Sequence, residues 1–157
     1  MRHRRRPRQG TCSCVTLVCF LVAILAPYST LSAQATVSLR AQVIYAANEP
    51  GGVDGRLGGL AAELQRTFRY SMYQLLAAPQ GSAALNQSWR AELPGDRRLE
   101  ITPTAIQGGQ YSLTVRVLSS GGQALVNTGV RLRSGATVLV GGPSHQKGVL
   151  IIAITAG

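Results

Sequence analysis

Apolar and polar side chains alternate with period two along most of the C-terminal part of the chain. Tyr111, Leu113, Val115 and Val117 fall on one face of a strand, with Ser112, Thr114 and Arg116 on the other. Gly121-Gly122 suits a tight hairpin. The chain returns with Val126, Thr128, Val130 and Leu132 in phase, and with Arg131 and Arg133 on the wet side. Ser134-Gly135 turns it into a short apolar strand, Thr137 to Val140. A polar loop, Pro143 to Gly148, leads to Val149–Ile154, which is apolar on both faces. A strand without a polar face is central, or covered on one side by a helix. Residues 111–156 are therefore expected to build most of one sheet with one buried face.

Upstream, Val37, Leu39, Ala41 and Val43 alternate with Ser38, Arg40 and Gln42, a half-buried strand that Asn48–Gly52 ends as a turn. Leu57, Leu60, Leu64 and Phe68 then recur at spacings of three, four and four, with Ala61 on the same face. That period predicts one amphipathic helix over 53–68, with Asp54 as its N-cap. Gly58 and Gly59 lower its intrinsic stability by up to about 1 kcal/mol each. Residues 69–79 read as an aromatic strand, with a continued helix as the competing reading, and 80–88 as a loop or weak strand. Trp89, Ala91 and Leu93 alternate, Pro94–Arg97 turns, and Leu99 and Ile101 alternate again. The result is a hairpin, 89–93 with 98–102. Its wet face sets Arg90 and Glu92 across from Arg98 and Glu100.

The order strand, helix, strand and then a long meander predicts an α+β fold. It would be a mainly antiparallel sheet (β-α-β followed by a β-meander) with one packed helix. The alternative is a β-sandwich with one helix, since seven or eight short strands fit in ~120 residues.

The first 35 residues do not belong to this pattern. Arg2, Arg4, Arg5, Arg6 and Arg8 precede an apolar run from Val15 to Pro27, and Ala33-Gln34-Ala35 supplies a small-x-small cleavage site. This order is that of an export signal, with the mature chain starting at Thr36. The rival reading is an uncleaved membrane anchor, against which the apolar run is shorter than the ~20 residues that span a bilayer; no stable membrane span is expected once the leader is cleaved. Setting the leader aside changes the charge. The whole chain carries +10, whereas 36–157 has eleven basic and six acidic residues, or +5. Half of the basicity is thus an address, and does not argue for nucleic acid. All three cysteines (Cys12, Cys14, Cys19) lie in the leader. An exported single domain over 36–157 must therefore stand on its apolar core, which at this length can bury roughly two thirds of its unfolded surface. The expected setting is periplasmic or extracellular, in bacteria.

Candidate chemistry is sparse. His145 is the sole histidine after the leader, and without cysteine it cannot complete a zinc site of three or four protein ligands. No Gly-x-Ser-x-Gly elbow is present, and a triad would have to recruit Asp54 or Asp96 from turns. Glu92 and Glu100 share a face with arginines, so charge neutralisation is the simpler account of them than sugar hydrolysis. Glu49 and Asp54 lack the dense acidic spacing of a calcium loop. No catalytic residue, metal or cofactor is expected. The binding candidates are Arg90, Arg98, Arg116, Arg131 and Arg133, which form a basic stripe if their strands are neighbours, together with His145 and Lys147 in the polar loop. The stripe would suit an acidic protein, an anionic glycan or lipid headgroups. Nucleic acid is disfavoured by the absence of aromatic residues on that face.

Ser134-Gly135, Thr137-Val138-Leu139-Val140, Gly141-Gly142 and Val149-Leu150-Ile151-Ile152 give residues 129–156 a pattern that resembles part of the β-domain of outer-membrane secretins. The resemblance implies a place beside an envelope secretion or pilus machine. Asn48, the Leu-rich helix, Phe68, Tyr70, Tyr73 and Gly141-Gly142-Pro143 also resemble features of small exported bacterial proteins, which imply no activity. Three functions compete. One is a non-catalytic envelope domain that binds a protein or itself through edge strands such as 36–43 or 137–140. Another is a module for an anionic ligand on the arginine face. The third is a hydrolase, which would need His145 and a carboxylate in one pocket.

Overall fold

The computed structural model describes residues 35–157. Apart from Ala35, the leader read from residues 1–35 lies outside the described residues. Ten strands, one 3-10 turn and one helix follow. They are β1 (Thr36–Ala47), β2 (Gly52–Val53), the 3-10 turn (Gly55–Leu57), α1 (Leu60–Thr67), β3 (Met72–Ala77), β4 (Gln80–Ala84), β5 (Trp89–Leu93) and β6 (Arg97–Gln107). The chain ends with β7 (Gln110–Leu118), β8 (Ala124–Arg133), β9 (Thr137–His145) and β10 (Gly148–Ala156).

The strands form two sheets. Sheet A has the order β2-β3-β1-β10-β9, with β4 pairing the first half of β1 while β3 pairs the second half. Sheet B is an antiparallel meander, β5-β6-β7-β8. Their facing sides share one core. β1 contributes Val37, Leu39, Ala41 and Val43, and β10 contributes Leu150, Ile152, Ile154 and Ala156. Sheet B answers with Leu93, Leu99, Ile101, Leu113, Val115, Val117 and Leu132. The α+β fold with one packed helix is thus present, in the sandwich arrangement.

The other face of sheet A is covered by α1 and the 3-10 turn. Leu57 and Leu64 bury against Ile44, Ala46, Tyr73, Ile151 and Ala153. This explains why Val149–Ile154 is apolar on both faces. β10 lies between β1 and β9, with sheet B on one side and the helix on the other. The aromatic pattern at 68–73 ties the helix down. The Tyr73 hydroxyl accepts from Tyr70 N–H (3.2 Å) and lies within bonding reach of the Leu64 and Phe68 carbonyls, at the free C-terminal end of α1.

Four expectations need correction. Residues 111–156 do not form one sheet, because the chain crosses from sheet B to sheet A between β8 and β9. The 53–68 helix is broken. Gly58 takes φ +49, which ends the 3-10 turn before α1 begins, and Asp54 caps that turn by accepting from Arg56 N–H (3.0 Å). Residues 143–145 continue β9, leaving a two-residue turn at Gln146-Lys147 with Gln146 at φ +50. Finally, 36–43 is no edge, since β1 is paired on both sides; 137–140 does lie in an edge strand. Residues 80–84 form a true strand, and the 89–93/98–102 hairpin has the expected pairs, Arg90 with Glu100 and Glu92 with Arg98.

Candidate functional site

Because the inner face of sheet B is apolar, alternation sends its polar residues outward. β5 presents Arg90 and Glu92, β6 presents Arg98, Glu100 and Thr102, β7 presents Ser112, Thr114 and Arg116, and β8 presents Asn127, Gly129, Arg131 and Arg133. The four strands are neighbours, so all five candidate arginines share one face. They do not share one state.

Glu100 sits in the middle of a cross-strand row. Its carboxylate accepts from Arg90 Nε (2.8 Å) on one side and from Arg116 Nη1 (3.4 Å) on the other. The Glu100 side chain is 10% exposed, against 63% for Arg90 and 42% for Arg116. Arg98 pairs with Glu92 at 3.4 Å. These two carboxylates therefore hold three of the arginines. Arg131 and Arg133 stand at the other end of the face, exposed, with no ion pair among the described residues.

A groove runs beside Arg131. One depression of about 520 Å³ is lined by Thr104, Ala105, Ser112, Leu113, Thr114, Gly129, Val130 and Arg131. A second, of about 290 Å³, continues along Ala105, Gln107, Gln110, Ser112 and Arg131. Two local features make the hollow. Gly129 has no side chain, and open space stands where its Cβ would be. Opposite, β6 bulges between Pro103 and Ala105, and Thr104 donates to the Ser112 carbonyl (3.1 Å). The result is a polar trough with hydroxyl walls and an uncompensated guanidinium at its rim.

His145 and Lys147 lie elsewhere, at the β9–β10 hairpin of sheet A. Lys147 approaches Glu49 at 3.7 Å. His145 packs edge-on against Tyr45, with ring centroids 5.9 Å apart at 85°. Arg97, at the start of β6, donates from Nη2 to the Ser144 carbonyl (2.8 Å). Tyr45 Oη and Arg97 Nη1 are both buried without a hydrogen-bond partner among the described residues. No carboxylate pairs with His145 among the described residues, and no group of three or more His, Cys, Asp or Glu side chains gathers there. No helix among the described residues is long and apolar enough to cross a membrane.

Sequence reasoning did not find the Arg131 trough, because neither Gly129 nor the Thr104 bulge announces a hollow until the strands are in register. It also missed Arg97, which reads as a turn residue. The chain matches no family model, no curated protein and no solved structure.

Proposed function

We propose that this chain is a non-catalytic binding domain of a bacterial cell envelope, and that it captures an acidic partner with the Arg131–Arg133 end of sheet B. The observation that carries this reading is the uneven pairing on one face. Arg90, Arg98 and Arg116 are held by Glu92 and Glu100, whereas Arg131 and Arg133 have no carboxylate partner among the described residues, and Arg131 borders an open polar trough. Unpaired surface cations give up little on meeting an anion, because no internal ion pair must first be broken. The leader pattern and a cysteine-free, core-supported domain support the envelope setting. The secretin-like pattern at 129–156 agrees with it.

The test is retention on immobilised polyglutamate over a salt gradient. Wild type is expected to elute later than R131E/R133E. The control is R40E/R69E, which changes net charge equally on exposed arginines outside sheet B, and it should elute near wild type. Equal losses in both variants would reduce the interaction to net charge and sink the assignment. H145A should bind as wild type does. A large loss there would move the site to the hairpin corner and reopen the hydrolytic reading.

A further inference from the structure

We infer that the acidic partner is an extended segment of another protein, which adds to β8 as a fifth strand of sheet B. The inference rests on the anion-binding reading above and goes beyond it by naming how the partner is held.

The other edges are guarded. β9 contains Pro143, which has no N–H to offer, and Arg97 already occupies its Ser144 carbonyl. β5 is five residues long, carries a charge at two of them, and abuts β4 through Trp89 and Gly81. β2 has only two residues. β8 differs in its length and in where its charge lies, with Arg131 and Arg133 near one end. It runs for ten residues, pairs with β7 alone among the described strands, and has no proline, lysine or acid in ALVNTGVRLR. A long edge with an uncharged run, Ala124 to Val130, is a template for another strand.

The side chains of β8 specify what that strand would carry. Val126, Thr128 and Val130 point toward the core yet remain half-buried. Arg131 and Arg133 point outward, two residues apart, which along a strand is roughly 6.6 Å. Alternate side chains of an extended peptide repeat at the same distance. Acidic residues at alternate positions would meet Arg131 and Arg133, and apolar residues between them would cover Val126 and Val130. The space over Gly129 leaves room for one partner side chain beside Arg131. A second copy of β8 fits less well, since that strand has no carboxylate to bring to the arginines.

The probe is a capped peptide of about ten residues, matching β8, that alternates glutamate with valine or threonine; its binding is followed by anisotropy. Two further versions are N-methylated, one at the odd residues and one at the even. A strand added at one edge uses only one of these amide sets. Methylation of that set should weaken binding by about tenfold or more, and methylation of the other by less than about twofold. R131E/R133E should weaken the parent peptide about tenfold. Hydrogen exchange should show new protection at β8 amides. If both methylated peptides bind alike, or β8 amides gain no protection, strand addition is wrong while the anion reading stands. If neither this peptide nor polyglutamate binds, both are wrong. Concentration-dependent dimers that protect β8 without peptide would assign the edge to a second copy and overturn the inference.

Discussion

Gly81 of β4 and Trp89 of β5 are packed so closely that no side chain fits between them. A Cβ at position 81 would stand 2.1 Å from Trp89 Nε1 and 2.5 Å from Cδ1. The contact closes one corner of the sandwich, because β4 belongs to sheet A and β5 to sheet B. Trp89 also packs against the shared core, so it cannot swing outward without exposing that core. G81A is expected to cost roughly 1–3 kcal/mol in denaturant unfolding, the usual range for overpacking. In a G81A/W89F double variant the penalty should shrink, because the clashing ring edge is gone. Strictly additive losses would show that the indole is not what fills the space.

The paired arginines make a second, opposite prediction. Glu100 holds Arg90 and Arg116 in place and cancels part of their charge toward solvent. E100Q removes that charge while keeping the shape. Both guanidiniums are exposed enough to stay hydrated, so the stability loss should be about 1 kcal/mol or less. Affinity for polyglutamate should rise about two- to fivefold, with a steeper dependence on salt. Unchanged affinity would mean that the Arg131 end binds without help from the rest of the face.

Much of this molecule was legible from its pattern, and the failures share one cause. Period-two alternation placed β1 and β5–β8, and their wet faces, because side-chain direction is a local property of an extended chain. The two-faced apolar run at Val149–Ile154 implies a strand that is central or covered on one side by the helix, and β10 is both. Which sheet a strand joins is not local. Nothing in Ser134-Gly135 says that the chain changes sheets there rather than continuing the meander. The leucine spacing predicts too long a helix because it bridges the Gly58 break. Leu57 reaches the same core from the 3-10 turn that it would have reached from a helix. The arginine stripe was expected, but its division into neutralised and free ends depends on register, which sets Glu100 between two arginines and leaves Arg131 opposite Ser112.

Tyr45 offers a test of the hairpin corner. Its hydroxyl is buried with no partner among the described residues, and its ring is held by His145. A buried hydroxyl that makes no hydrogen bond costs about 1–3 kcal/mol relative to one left in water. Y45F keeps the ring and removes the cost, so its midpoint of thermal unfolding should equal or exceed that of wild type. A clear drop would reveal a bound water or ligand on the hydroxyl, and would make the corner of Tyr45, Arg97 and His145 a polar site in its own right.

Asp54 makes the acid response predictable. Its Oδ1 accepts from Arg56 N–H (3.0 Å), and its Oδ2 from Leu75 N–H (3.2 Å) and Arg56 Nη2 (2.7 Å), so one carboxylate ties the 3-10 turn to β3. The Arg56 guanidinium, then the Arg56 and Leu75 amides, hold this carboxyl far below its ordinary value of 3.8. Glu63 is lowered from 4.5 by Arg66 in the same sense. A carboxyl depressed in the folded state binds its proton more readily once the chain unfolds. Its stabilisation is therefore complete above the ordinary carboxylate range and fades as pH falls through that range toward the depressed value. D54N should accordingly be less stable than wild type at pH 6, and the gap should narrow steadily below about pH 4, where the wild-type contribution is being titrated away. Urea unfolding of both proteins across that interval reads the difference directly. A gap that stays constant down to pH 3 would mean that Asp54 acts through its shape and not through its charge.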